Sequence, residues 1–165
     1  MHLSEQPLVS AHRIEQRIGE LAHDISARYG SEEIVLVCVL KGALVFTSDL
    51  VRALHTPARI EFVRALSYDG KQSTGKVEVT LVGDPPLAGR HVLVVEDILD
   101  TGRTTLRVLE RLRDEGPASL AVCVLLNKPS ARIEAIKADF TGFDIGDKFV
   151  VGYGLDYNER YRDLA

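Results

Sequence analysis

Disulfides, membrane-spanning runs and basic tracts are what this sequence lacks, and each absence narrows what it can do. The 165 residues include 2 cysteines, Cys38 and Cys123, each set inside an apolar run. That placement favours buried reduced thiols over a disulfide. No apolar run approaches the roughly 20 residues that a bilayer-spanning helix needs. The opening residues, MHLSEQPLVS, have neither the basic nor the apolar stretch of an export signal. A cytoplasmic location with no membrane partner is expected. The formal net charge is −4 and the basic residues are scattered, which argues against a nucleic-acid partner. His2, His12, His23, His55 and His91 are isolated, and none has a second ligand at metal spacing. The G-x-x-x-x-G-K-[ST] loop of nucleotide hydrolases does not occur. Internal repeats, low-complexity tracts and linkers are missing too. What is present is an ordinary globular mixture, 45% hydrophobic and 27% charged. Its length suits one domain with a proper core.

The chain is organised around Val92–Thr105, VLVVEDILDTGRTT. Val92–Val95 read as a strand buried on both faces, because both side-chain rows are apolar. Three carboxylates follow, Glu96, Asp97 and Asp100. Then Thr101-Gly102-Arg103-Thr104-Thr105 turn into an amphipathic helix carrying Leu106, Leu109 and Leu112, stopped by Gly116 and Pro117. A helix N-terminus offers free backbone N–H groups and a partial positive charge, so it holds a phosphate. Gly102 permits close backbone approach, the threonines add hydroxyl donors, and Arg103 stands beside them. The adjacent acids Glu96 and Asp97 can accept from two vicinal ribose hydroxyls, or hold Mg²⁺ through water. A phosphate on one side and a diol on the other describe a ribose 5-phosphate. A plainer alternative is that Asp100 or Thr101 caps the helix, but a cap needs one such residue, not three acids and three threonines.

Other strand ends carry similar chemistry. Ser10 can cap a helix with the apolar stripe Ile14, Ile18, Leu21, Ala22 and Ile25, ending at Gly30. Ile34–Leu40 is a second strand buried on both faces. It runs into Leu40-Lys41-Gly42 and then a helix through Leu44, Leu50, Val51 and Leu54, which is another place for an anion or else a plain turn. Ala58–Ala65 and Val77–Val82 are strands flanking a polar segment from Ser67 and Tyr68 to Lys76. That segment is either a solvated hairpin loop or a lid that closes over the site. Ser119–Leu126 is a further buried strand, ending in Asn127-Lys128-Pro129-Ser130. Strands alternating with helices imply a parallel sheet with ligands at the carboxyl ends of the strands. The remainder has short pieces and many aromatics, among them Phe149, Tyr153 and Tyr157.

The stretch VEDILDTGRT resembles the phosphoribosyl pyrophosphate (PRPP) motif of the type I phosphoribosyltransferases, in the form found in those acting on hypoxanthine. The likeness runs from about residue 5 to the end, and the run from Asp147 to Leu164 is similar to the family's hood. The resemblance implies one α/β domain, a parallel-sheet core flanked by helices over about residues 10–128, with a small C-terminal hood mainly over about 129–165. It implies Mg²⁺-dependent transfer of ribose 5-phosphate from PRPP to a 6-oxopurine, in a homodimer or homotetramer. Carried over residue by residue, Asp100 is the general base. Glu96 and Asp97 hold the ribose hydroxyls directly or through Mg²⁺, and Asp156 holds a second Mg²⁺ beside the purine. Thr101, Gly102, Arg103, Thr104 and Thr105 cradle the 5′-phosphate. Lys41, Gly42 and Arg162 meet pyrophosphate, with a cis peptide before Lys41. Lys128 donates to the purine O6, Phe149 stacks on the base and the Val150 backbone reads its edge. Ser67 and Tyr68 belong to the lid. The ordinary alternatives are core packing for Phe149 and Tyr153 and a solvent-exposed lysine for Lys128. Two rival functions remain: a PRPP-binding regulator that reads RNA, which would need a basic face, and a transferase for another base such as xanthine or orotate.

Overall fold

The structure, a computed structural model, describes residues 6–67 and 77–165. Tyr68 and the polar segment after it, expected to form the lid, lie outside the described residues, and of Ser67 only the backbone is described. Three helices, α1 (Ala11–Tyr29), α2 (Leu44–Ala53) and α3 (Arg103–Arg113), pack on a sheet of six strands. The strands are β1 (Ile34–Leu40), β2 (Ala58–Ser67), β3 (Val77–Leu81), β4 (His91–Leu99), β5 (Ser119–Asn127) and β6 (Phe140–Asp144). Their spatial order is β3-β2-β1-β4-β5-β6.

Helix α1 follows the sequence signals closely. The Ser10 hydroxyl accepts from the Arg13 N–H at 3.4 Å, and Gly30 ends the helix with φ of 58°. Ile14, Ile18, Leu21, Ala22 and Ile25 are buried, as the stripe predicts. Helix α3 turns a slightly different face inward. Thr105, Val108, Leu109 and Leu112 are buried, whereas Leu106 is only half-buried.

Alternation along the central strands sorts the core into two halves. Ile34, Leu36, Leu93, Val95, Ala121, Cys123 and Leu125 pack against α1 and α2 on one face. Val35, Val37, Val39, Val92, Val94, Val122 and Val124 pack against α3 on the other. A strand whose two rows both meet helices has no polar row, which is why these stretches are apolar throughout. Each such large side chain contributes about 1.5–3 kcal/mol by leaving water.

Three features depart from the expectation. The sheet is mostly rather than wholly parallel: β3 pairs antiparallel with β2, and the nine residues between them, 68–76, are too few for the crossover that a parallel pair needs. Strand β4 does not stop at Val95. Glu96 pairs with Val124, Ile98 with Leu126 and Leu99 with Asn127, so the first two acids stand on the strand itself. Phe140–Asp144, inside the stretch grouped above with the C-terminal segment, pairs parallel with β5 as the sixth strand. A Cβ on Gly142 would lie 2.4 Å from the Leu125 carbonyl oxygen, so only glycine lets β6 approach there.

Candidate active site

A cavity of about 850 Å³ opens at the carboxyl ends of β1, β2 and β4. Lys41, Gly42, Glu96, Asp97, Asp100, Thr101, Gly102, Thr104, Thr105, Asp156 and Arg162 all line it. Arg103, Lys128, Phe149 and Val150 are not among its lining residues.

The phosphate corner is built by the start of α3. Gly102 caps the helix with φ of 87°, and no side chain bonds to the helix end as a cap. The capping alternative for Asp100 and Thr101 is therefore not what the chain adopts. Among the described residues the side-chain acceptor that meets an amide of this turn is Thr101 Oγ1, reached by the Arg103 N–H at a long 3.4 Å. The first-turn amides are left for an anion. Thr105 departs from the expected cradle, because it is buried and its hydroxyl donates to Glu96. Arg103 is exposed.

The strand acids lie deep. Glu96 is 4% exposed. Burial pushes its carboxyl up to about 8, against the Thr105 hydrogen bond and with help from the neighbouring Asp97 charge. Burial likewise lifts Asp97 to about 6, against the Ile98 N–H that donates to Asp97 Oδ1 at 2.9 Å. A Cβ on Gly42 would stand 1.8 Å from Asp97 Oδ2, so the β1 turn closes directly over this carboxylate. The peptide between Leu40 and Lys41 is cis, as the resemblance implies.

On the other side, Lys41 Nζ lies 2.6 Å from Glu159 Oε2. Arg162 Nη2 reaches Asp156 Oδ1 at 2.9 Å and Glu159 Oε1 at 3.4 Å, while its Nη1 donates to the Gly154 carbonyl at 2.7 Å. Asp156 Oδ2 accepts from the Glu159 N–H at 2.8 Å. Glu159 and Arg64 also line the cavity, and the sequence reading gave neither a role. Arg64 stands out in the sequence as a charge interrupting an apolar strand, which is the one signal that marks it. Glu159 has no such signal.

Lys128 is not a solvent lysine. Its side chain is 8% exposed, and Nζ stands 3.8 Å from both Asp100 Oδ2 and Asp147 Oδ1. Through Asp100 it meets the cavity without lining it. Phe149 is 65% exposed, with Tyr157 edge-on at 5.7 Å between ring centroids, so core packing does not account for it. Val150 packs partly buried against the α1–α2 side of the core. Tyr153 is half-buried and donates its hydroxyl to Asp49 Oδ2 at 2.5 Å, a packing and latching role.

Comparison with known proteins places this arrangement. The family profile of the phosphoribosyl transferase domain matches residues 6–158. A hypoxanthine-guanine phosphoribosyltransferase of Mycobacterium avium is 43% identical over 165 residues, covering 96% of this chain and 81% of the relative. A hypoxanthine phosphoribosyltransferase of Salmonella typhimurium is 44% identical, covering 92% and 86% respectively. Among solved structures, a Bacillus anthracis hypoxanthine-guanine phosphoribosyltransferase superposes with a TM-score of 0.91 at 38% identity, over 97% of this chain and 95% of that one. A point mutant of the Trypanosoma cruzi hypoxanthine phosphoribosyltransferase, in complex with the product IMP, gives 0.90 at 37% identity, over 99% and 89%. These matches take in the strand acids, the α3 turn and most of the C-terminal segment together, and the chain belongs to the phosphoribosyl transferase family with its type I fold.

Proposed function

We propose that this chain is a purine-salvage enzyme that transfers the 5-phosphoribosyl group of PRPP to hypoxanthine, and also to guanine, releasing pyrophosphate. The observation that carries this reading is the placement of Lys128 beside Asp100, 3.8 Å apart, next to the uncapped N-terminus of α3. A purine set against that pair would have its 6-oxo acceptor facing an ammonium donor. Adenine would present an amino donor there, which the ammonium opposes.

In the transfer, a bond forms between the purine ring nitrogen and C1′ of the ribose, and the bond from C1′ to the pyrophosphate oxygen breaks. Asp100 takes the proton that the purine gives up, as general base at N7. Positive charge grows on the ribose and negative charge on the leaving group, so the protein's task is mainly electrostatic. The amides of the α3 turn and the hydroxyls of Thr101 and Thr104 hold the 5′-phosphate. Lys41, the Gly42 amide and Arg162 receive the pyrophosphate, where a planar guanidinium suits an oxyanion. Asp97 and Glu96 face the ribose diol, and Phe149 stacks on the base. Backbone around Val150, Leu155 and Asp156 reads the purine edge.

The residues suit Mg²⁺. The donors are carboxylates, and Mg²⁺ takes one or two of these with water and substrate oxygens instead of an all-protein cage. Among the described residues no group of three His, Cys, Asp or Glu forms such a cage. Burial pushes Glu96 and Asp97 up while Arg132 and Arg162 act on them only from a distance, and among the described residues neither forms an ion pair, so a cation there would offset their charge. One ion at Glu96 and Asp97 and a second at Asp156 would neutralise charge on the departing pyrophosphate.

Two further points complete the reading. Among the described residues no helix is long and apolar enough to cross a membrane, and the buried free thiols of Cys38 and Cys123 support a cytoplasmic location. A homodimer or homotetramer is supported by Ile60, Leu66 and Val82, exposed apolar residues on or beside β2 and β3. The test of function is a base panel with PRPP and Mg²⁺, following nucleotide formation by absorbance. Turnover with hypoxanthine and guanine and none with adenine is expected; turnover with adenine would overturn the assignment of Lys128.

A further inference from the structure

Arg132 belongs neither to the PRPP motif nor to the cavity wall, yet its guanidinium is spent on the two strand ends that bear the purine-side groups. Nε donates to the Asp100 carbonyl at 2.8 Å. Nη2 donates to the Leu99 carbonyl at 3.0 Å and to Asn127 Oδ1 at 2.6 Å, and Nη1 donates to the Ile136 carbonyl at 2.5 Å. The neighbouring backbone strengthens the joint. The N–H groups of Ile133 and Glu134 both donate to the Thr101 carbonyl at 3.0 Å. A Cβ on Gly102 would lie 3.1 Å from Arg132 Cδ, so this segment packs directly behind the phosphate turn.

The geometry matters because of where the ladder ends. Leu99 and Asn127 are the last paired residues of β4 and β5. Asp100 and Lys128 each stand one residue beyond; the Lys128 N–H still donates to the Leu99 carbonyl at 2.9 Å, whereas the Asp100 carbonyl is held by Arg132. We infer that Arg132 is a positioning residue for the transfer: its planar fork ties the two strand ends together and sets where Asp100 stands relative to Lys128. The inference rests on the roles proposed above for those two residues. Arg132 touches neither side chain by hydrogen bond and acts through the backbone and Asn127. Lysine is no substitute, because a point ammonium cannot reach four acceptors that a rigid five-donor fork can. Its described hydrogen bonds reach none of Lys41, Gly42 and Arg162, so it makes no direct contact with the pyrophosphate side, and its charge acts on Glu96 only from a distance.

That separation supplies the test. Arg132→Lys and Asn127→Ala are compared with the wild type in steady-state kinetics, in calorimetric titration with inorganic pyrophosphate and Mg²⁺, and in thermal melts. A displacement of about 1 Å at a reacting pair costs up to about a hundredfold in rate. Arg132→Lys is therefore expected to lower kcat by about 30-fold or more, and Asn127→Ala, which cuts one strut, by about threefold to tenfold. The pyrophosphate Kd should stay within about twofold of wild type in both, since a displaced base pair leaves that side untouched. A folded Arg132→Lys with kcat within threefold of wild type would overturn the role. So would a pyrophosphate Kd that worsens in step with kcat, because general damage would do that. If Arg132→Lys does not fold, Asn127→Ala decides by the same two readings. A wild type inert toward hypoxanthine and PRPP overturns the proposed reaction and this role with it, whereas an active wild type beside an unaffected variant overturns the role alone.

Discussion

Lys41 and Glu159, 118 residues apart in sequence, meet at 2.6 Å across the cavity. Arg162, the other cation assigned to pyrophosphate, is also engaged, by Asp156 at 2.9 Å and by Glu159 at 3.4 Å. A pyrophosphate arriving at Lys41 therefore competes with a carboxylate that the protein itself supplies. Glu159→Gln removes the competitor and keeps the side chain's shape. The pair is exposed, so the gain is modest, and we expect pyrophosphate to bind about two- to fivefold more tightly. High salt should shrink the difference, because exposed charges are screened. Calorimetry with Mg²⁺ present reads the effect, and unchanged or weaker binding by the variant would count against competition.

Asp100 stands at the meeting of the phosphate turn and the purine groups, its side chain 48% exposed and 3.8 Å from Lys128 Nζ. Asp100→Asn preserves volume and polarity but cannot take a proton. The chemical step should slow by about 10²–10⁴, the usual value of a general base, while PRPP still binds. Single-turnover kinetics with saturating hypoxanthine separates the two effects. An unchanged single-turnover rate would remove Asp100 from the base role.

The local parts of this molecule were legible and the distant ones were not. Strand β1 has the limits that its apolar run indicates, and α1 begins and ends on the serine and glycine that mark it. Where local and tertiary forces disagreed, the sequence misled. Glu96 reads as an acid just past the end of the apolar strand, yet it stays in the β4 ladder opposite Val124. Strand β6, FTGFD, is five residues long with a central glycine, a weak strand signal until the Leu125 carbonyl beside that glycine is seen. The motif residues gather at one cavity because the parallel strands of the sheet end there together. Glu159 and Arg132 escaped notice because the distant partners that give them their place, Lys41 for the first and Leu99 for the second, lie 118 and 33 residues away, with no spacing to announce them.

Two glycines predict opposite outcomes. At Gly42 a Cβ would lie 1.8 Å from Asp97 Oδ2 and 2.6 Å from its Cγ. Gly42→Ala must displace the buried Asp97 carboxylate, which the proposed function sets against the ribose and Mg²⁺, so the KM for PRPP should rise by about tenfold or more, as expected when a substrate-positioning group shifts. At Gly19, inside α1, nothing lies within 4 Å. Gly19→Ala should leave KM alone and stabilise the protein by about 0.8–1.0 kcal/mol, because glycine is the poorer helix former. Initial-rate measurements and thermal melts on both variants check this. A Gly42→Ala enzyme with an unaltered KM would show that Asp97 is free to move.

Glu96 should leave its mark on the pH dependence of stability. Its ordinary value is 4.5 and burial raises it to about 8 in the folded chain. Between these limits the folded state keeps a proton that the unfolded chain has lost. Stability from this group therefore falls as pH rises from 4.5 to about 8, and is level outside that window. Asp97 adds a fall of the same sign between 3.8 and about 6. Glu96→Gln cannot ionise, so between pH 6 and pH 8 its melting curve should be flatter than the wild type's. With EDTA present, the wild-type Tm should drop by about 5 °C more than the variant's over that interval, taking one pKa unit as 1.36 kcal/mol and a few degrees per kcal/mol. Subtracting the two slopes cancels the histidines and the other groups remote from Glu96 that titrate there. Parallel slopes would mean that Glu96 ionises freely in the folded protein, and that its burial against Thr105 does not hold the proton.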